Sequence, residues 1–295
     1  MGDSYDVLIR DAMIVDGTGA PAYRGSVGIA ADRIAAVRQA AGPARRVVDA
    51  GGRVVCPGFV DAHSHGDMTI LDHPAAQNLT MQGVTTFVAG NCGLSLAPIH
   101  DAANVPTLRQ MLGDWGAGVD PAHRTFADWL ARVEGERLGA NYVPLVGHNT
   151  IRAGVMGEDH RRLATAAEIE TMQAWVREAL DAGAFGLSFG LDPWWVGHFA
   201  YGDELVELAR AAQRYGAYVH IHTRHQENQW PAARREQVRY GIYHGSFGEL
   251  IAGRYHGILE AIEICRQADR VRLQIAHLTS AYLLPQPHPA YLEEA

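Results

Sequence analysis

The spacing of apolar and polar positions along this chain changes character once. Residues 5–55, from YDVLIRDAMIVDG onward, are short alternating apolar runs broken by Gly, Asp and Pro. That is the pattern of small antiparallel strands joined by turns. From Pro57 the texture becomes strand followed by helix, repeated. Strands are predicted at 58–63, 84–89, 142–147, 184–189, 217–222 and 271–277, with helical stretches between them. TAAEIETMQAWVREALDAG opens with a capping box from Thr165 to Glu168 and stops at Gly183, and DELVELARAAQRYG stops at Gly216. Strands alternating with helices predict a parallel sheet with right-handed crossovers. The sequence thus divides into an N-terminal part, 1–55, and an α/β part, 56–295, with no internal repeat and no low-complexity tract.

Polar residues fall on this scheme in an ordered way. His63 and His65 end the first strand, Cys92 sits in VAGNCG after the second, and His148 follows the third in LVGHN. His220 and His222 end the fifth in YVHIHTR, and His277 ends the sixth in LQIAHLT. These are C-terminal strand ends, the rim where parallel barrels and doubly wound sheets build their sites. Residues two apart on a strand project to one face, so His63 and His65 can reach one ion together. Imidazole and thiolate are the ligands that zinc-type metals prefer. A lone strand-end histidine such as His148 is ordinarily a satisfied polar residue. A lone cysteine is ordinarily a small buried apolar one, which is the reading for Cys56 and Cys265. The joint arrangement is hard to explain as packing and points to metal binding.

Composition narrows the class. With 295 residues, 47% hydrophobic and 20% charged, the chain is expected to be globular with a sizeable core. A formal charge of -8 argues against nucleic acid or an anionic membrane surface as a partner. There is no basic n-region before an apolar h-region and no uninterrupted apolar span of membrane length, so the expected location is cytoplasmic. Three widely spaced cysteines suit a reducing compartment. All 25 basic side chains are Arg. No Schiff base, P-loop lysine or carboxylated lysine bridging two metals can be built from this sequence.

The motif PGFVDAHSHGD resembles the first-strand signature of the amidohydrolase superfamily. GVTTFVAGNCGLSLAP resembles the metal-cysteine segment of its D-aminoacylase (N-acyl-D-amino-acid deacylase) branch. NYVPLVGHNTIRAGVMG, GAFGLSFGLD, HTR and LQIAHL follow in that branch's order, and the likeness covers nearly the whole chain except about 225–253. The resemblance implies an incomplete (β/α)8 barrel of about six strand–helix units over 56–295, preceded by part of a small β-sandwich over 1–55. It implies that Cys92, His222 and His277 hold a tightly bound zinc and that His63 and His65 form a second, weaker metal position. Cys92 would replace the bridging carboxylated lysine, in accord with the missing lysines. His222 matches the His-x-Arg ligand motif with Arg224 as its arginine, and His220 is an addition without an assigned role. The implied reaction is hydrolysis of an amide C–N bond in a small molecule. Zinc would lower the pKa of bound water from near ~16 to roughly 7 and polarise the carbonyl, while a carboxylate moves the proton. Arg224 and His148 are the candidate catalytic residues in this chain.

Three departures shape the expectation. Leu278 and Thr279 stand where the family has His-Lys, so Arg224 and Arg152 are the candidates to hold a substrate carboxylate. The 225–257 stretch is longer than the family's loop and reads as a lid, an interface or tolerated surface. After His277 come only LTSAYLLPQPHPAYLEEA, with no seventh or eighth strand and no strand-end Asp. A complementary C-terminal-half subunit carrying the remaining barrel strands and the catalytic Asp is therefore expected. The alternative is a non-catalytic or regulatory remnant of an amidohydrolase, which the presence of all five ligands disfavours. One of Trp194 and Trp195, at the rim after the fourth strand, is expected to line an apolar substrate pocket.

Overall fold

The computed structural model describes residues 5–192, 195–224, 243–244, 246–248, 250–251 and 254–278. Trp194, most of the 225–257 stretch and the tail after Leu278 lie outside them. The chain divides into two compact units, 1–59 and 60–295.

The first unit is one mixed sheet. β1 (Tyr5–Ile14), β2 (Tyr23–Ala30) and β3 (Arg33–Arg38) form an antiparallel meander, with Val7 opposite Ile29 and Val27 opposite Val37. β4 (Ala44–Asp49) and β5 (Val54–Val55) both pair with β1 in parallel, Leu8 opposite Val47 and Met13 opposite Val54. This corrects the purely antiparallel expectation. The connection 39–43 carries the chain from β3 to the free side of β1, where it runs in the same direction as β1. β4 and β5 then act as one edge strand interrupted at Gly51 and Gly52. Ala12, Ile14, Val27 and Ala50 form its main core, and Tyr5, Leu8 and Ala40 a smaller one.

The second unit carries a six-stranded sheet in the order β13-β10-β9-β8-β7-β6. Its strands are β6 (Phe59–Asp61), β7 (Val84–Ala89), β8 (Asn141–Gly147), β9 (Gly186–Gly190), β10 (Tyr218–His222) and β13 (Arg272–Ile275). The short hairpin β11 (Tyr243–His244) and β12 (Leu250–Ile251) stands apart from it. The registered pairs from β7 through β10 to β13 are all parallel. Each strand lies within two residues of its sequence-predicted limits. The helices are α1 (Gln77–Thr80), α2 (Val105–Leu112), α3 (Phe126–Glu134), α4 (His148–Met156), α5 (Ala166–Ala182), α6 (Gly202–Arg214) and α7 (Arg254–Gln267). Among the described residues, no helix is long and apolar enough to cross a membrane.

Strand periodicity decides which residues can form a site. Leu187 and Phe189 on β9 and Val219 and Ile221 on β10 join a core with Met172 and Val176 of α5 and Leu205 and Leu208 of α6. The alternate residues Ser188, His220 and His222 therefore belong to the opposite, inner face. The sheet curls until its outer strands approach: Gln274 Nε2 donates to the Ala62 carbonyl at 3.4 Å, and the His277 and His63 rings are 4.5 Å apart. β6 and β13 do not pair by backbone, and Phe59 and Val60 on β6 remain exposed.

The local chemistry read for α5 is present atom by atom. Thr165 Oγ1 accepts from the Glu168 N–H at 3.3 Å, and Glu168 Oε2 accepts from the Thr165 N–H at 2.7 Å. Gly183 closes the helix at φ 118°, a conformation that glycine adopts without a Cβ penalty. Hydrogen bonds from Arg162 and from Thr165 hold the Glu168 carboxyl down at about 2. Replacing Glu168 by Gln should destabilise the fold by about 1 kcal/mol near neutrality. A carboxylate with a depressed folded-state pKa contributes above its unfolded value. The difference between variant and wild type should therefore shrink as pH falls from about 4.3 towards about 2. Denaturant midpoints across that interval check both the size and the sign.

Candidate metal centre

The opening histidine motif is tied down by short local bonds. Asp61 Oδ1 accepts from the His63 N–H at 3.1 Å, and the Ser64 N–H donates to Val88 O at 2.9 Å, fastening the segment to β7. Asp67 is buried just beyond, and burial pushes its carboxyl up to about 7. β7 then ends in Gly90-Asn91-Cys92-Gly93. Gly90 has φ 86°, and a Cβ there would lie 2.0 Å from Leu145 O; Gly93 has φ 76°, and its Cβ would lie 2.7 Å from Gly190 N. Neither position admits a side chain. The Asn91 amide donates to Ser64 O at 2.9 Å and Val88 O at 2.8 Å, so the two rim segments form one unit. The Gly93 N–H donates to Ser188 Oγ at 2.9 Å, joining them to β9.

This turn delivers one sulfur into a group of imidazoles. Cys92 Sγ lies 3.3 Å from His63 Nε2, 3.4 Å from His222 Nδ1 and 3.5 Å from His277 Nε2. Zinc bonds of about 2.0–2.3 Å in tetrahedral array set neighbouring S and N ligand atoms roughly 3.5 Å apart. The three S–N distances match that figure, and the group His63, Cys92 and His277 fits a common ion, while His222 approaches Cys92 but lies outside that group. One donor atom each from His63, Cys92 and His277 falls within 4.8 Å of the others. Cys92 is 1% exposed, and burial, with the nearby Asp192 carboxylate, pushes its thiol well above the usual range. Ligation by the thiolate would then release a proton. Cys92 and His277 both adopt left-handed backbone, φ 56° and 59°, which costs a non-glycine residue on the order of 1–2 kcal/mol.

The remaining histidines complete the picture. His65 lies with its ring 5.5 Å from that of His63 and stacked 5.1 Å from Trp115. Burial, then His63, His277 and His222, lower it to about 4, so the imidazole is neutral and has a lone pair to give. His220 points into the same group, its ring 4.9 Å from His63. Asp192, two residues beyond β9, places Oδ2 3.4 Å from His222 Nε2. A carboxylate there favours the tautomer that leaves His222 Nδ1 facing Cys92. Sequence reasoning passed over Asp192 because it looked for a strand-end Asp only after His277. Trp115, on the helical turn 113–118, carried no comparable signal.

Arg224 and His148, the candidate catalytic residues, sit elsewhere. Arg224 is wholly buried: Nε donates to Glu260 at 3.0 Å, and its two amino groups donate to His198 O at 2.7 Å and Ala200 O at 2.9 Å. His148 is equally buried, with Nε2 2.8 Å from Glu204 Oε1. Glu204 also binds Arg152, whose guanidinium reaches His160 O at 3.1 Å and Phe199 O at 3.4 Å. Arg152 and Arg224 thus brace the segment 196–200 as positioning residues, while His148 bonds to the carboxylate that also holds Arg152. That segment follows Trp195, whose ring stands edge-on to His222 at 4.5 Å. Trp195 also borders a cavity of about 660 Å³ lined by Gln110, Met111, His160, Arg161 and Phe199.

A curled parallel sheet with a cysteine–histidine cluster at its C-terminal rim defines an α/β scaffold with donors suited to a zinc-type ion. The Amidohydrolase family model matches residues 46–194, and the chain belongs to that family. It is 38% identical over 233 residues to an N-acyl-D-glutamate deacylase of Alcaligenes xylosoxydans xylosoxydans, covering 79% of this chain and 46% of the relative. An N-acyl-D-aspartate deacylase of the same organism is 35% identical over 285 residues, 91% of this chain and 55% of that protein. Among solved structures, a D-aminoacylase superposes with a TM-score of 0.74 at 34% identity, over 92% of this chain and 51% of the other. The Bordetella bronchiseptica N-acyl-D-glutamate deacylase, complexed with zinc and a phosphonate inhibitor, gives 0.76 at 30% identity, over 99% of this chain and 55% of the other. The chain spans about half the length of the curated relatives it matches.

Replacing Arg224 by Met should cost about 3 kcal/mol or more, because, among the described residues, Glu260 is left buried with only the Ser246 donors to satisfy it. Adding Glu260→Leu should recover much of that loss. Chemical denaturation of the single and double variants checks the pairing; equal losses in both would contradict it.

Proposed function

We propose that this chain is the metal-binding part of a zinc-dependent amidohydrolase that cleaves an amide C–N bond in a small N-acylated substrate. The observation that supports it most is the approach of three imidazole nitrogens to Cys92 Sγ at 3.3–3.5 Å. In this reading Cys92, His222 and His277 hold the tighter ion, and His63 and His65 a second, weaker one. Zinc bound there supplies polarisation of the scissile carbonyl and a water acidic enough to attack at neutral pH. Asp192 keeps His222 turned towards the cluster. Trp195 closes the back of His222 and offers an aromatic wall to a substrate group in the neighbouring cavity, and the Arg152 and Arg224 braces keep that wall from drifting.

The general base is assigned to polypeptide outside these 295 residues, a complementary subunit that also covers the free edges of β6 and β13. Among the described residues the outer edges of β6 and β13 have no strand partner, and this, with the exposed Phe59 and Val60, supports that assignment. Such a cover is expected to bury more than the ~2,000 Å² typical of obligate interfaces.

Two outcomes follow. Cys92→Ala should lose most of its zinc and its activity with little change in fold, since the cluster's one thiolate is gone; full zinc occupancy by metal analysis would remove the assignment. This chain produced alone should be insoluble or inactive, and co-expression with the product of the downstream gene should restore a zinc-dependent amidase. A monodisperse, fully active 295-residue monomer would refute the subunit reading.

A further inference from the structure

The cavity beside Trp195 is apolar along one wall and carries a charge of each sign. It holds about 660 Å³, a size common for small-molecule sites, among α2, the helical turn 157–161 and the segment that follows Trp195. Met111, Trp195, Val196 and Phe199 supply the apolar wall. Gly190, where a Cβ would lie 2.4 Å from Trp195 Cε3, lets the indole pack onto the end of β9, and the half-buried ring still borders the cavity. Glu158 and Arg161 line the same space from positions i and i+3 of a 3-10 turn, where side chains eclipse. Opposite charges so placed could pair with each other. These two do not, and neither has a hydrogen-bond or ion-pair partner among the described residues. Their neighbours are engaged: Arg162 binds Glu168, and His160 Nδ1 lies 3.0 Å from Gly157 O.

We propose that this cavity binds a free α-amino acid with an apolar side chain. Its carboxylate meets Arg161, its ammonium meets Glu158, and its side chain lies on the wall of Trp195, Phe199 and Met111. A simple anion would leave Glu158 opposing it, and a simple cation would leave Arg161 opposing it. A zwitterion answers both charges at once. That the amino acid is a product rests on the amidohydrolase reading given above. Hydrolysis of an N-acylated amino acid consumes one water, whose two protons end on the nitrogen, and leaves a carboxylate and an ammonium. The uncleaved substrate can offer its side chain to the same wall, but its amide nitrogen is uncharged and has nothing for Glu158. The cavity therefore holds product more tightly than substrate. Since the Trp195 ring also stands 4.5 Å from that of His222, the retained product shares an indole with the cluster.

Isothermal titration calorimetry on the full chain, in the assembly in which it purifies, tests the charge pair. The probes are D- and L-leucine, 4-methylpentanoate, which lacks the ammonium, and isoamylamine, which lacks the carboxylate. At least one hand of leucine should bind saturably, and both truncated probes at least ~10-fold more weakly, the worth of one hydrogen bond to a charged group. Arg161→Met should weaken leucine by a similar factor and leave isoamylamine as it was. Glu158→Gln should weaken leucine and leave 4-methylpentanoate no weaker. Both side chains are exposed, so these variants should keep the fold. Leucine that does not bind, leucine bound no better than its two fragments, or leucine bound as well by both variants, as coordination to a metal would give, would overturn the proposal. An assembly that binds leucine in the expected pattern but cleaves no N-acylated amino acid would keep the cavity's ligand and overturn the amidohydrolase reading. Cleavage without leucine binding would do the reverse.

Discussion

A thiol enclosed by imidazoles is an awkward object for a protein to hold. Cys92 lies beyond the reach of water, and both its burial and the field of Asp192 keep its proton on. Only a cation set among its neighbours would make the thiolate stable there. The surrounding structure is arranged around this point: Gly90 and Gly93 let the chain turn where no Cβ fits, Asn91 laces the turn to the histidine segment, and Ser188 receives the Gly93 N–H from the next strand but one. A change at any of these moves the sulfur.

Behind the rim, two acid–base pairs do the corresponding work for the far wall. Arg152 with Glu204 and Arg224 with Glu260 come from different strand–helix units, yet both end on carbonyls between His198 and Ala200. Each pair is buried, and ion pairs of this kind do little for net stability compared with apolar substitutes. What they fix is geometry. The segment they grip follows the tryptophan that backs His222, so the orientation of a ligand ring is set from behind by groups that never meet a substrate.

The parallel strands, the capping box at Thr165 and the gathering of His63, His65, Cys92, His222 and His277 at one rim were legible because each follows from a local period or a strand end. The parallel pairing of β4 and β5 was not, since alternation reads the same in either direction. Nor was the burial of Arg224 and Arg152: their carboxylate partners lie 36 and 52 residues away, and nothing local distinguishes a bracing arginine from one that awaits a ligand. Asp192 was visible in GLSFGLD as a strand-end carboxylate, but nothing local ties it to His222, 30 residues on. His220 was seen, but the enclosure of its two nitrogens without a partner among the described residues follows from no local pattern.

The left-handed backbone at Cys92 and His277 has a consequence for how this chain can change over generations. Glycine would relax both positions and asparagine would ease them, so the mutations that most readily comfort the backbone are ones that erase a donor atom. Loss of chemistry is downhill in folding energy at these two residues, and keeping it requires continuous selection against the more comfortable sequence. A lineage released from that selection would be expected to lose Cys92 and His277 early, ahead of His63 or His65, whose backbones carry no such tension.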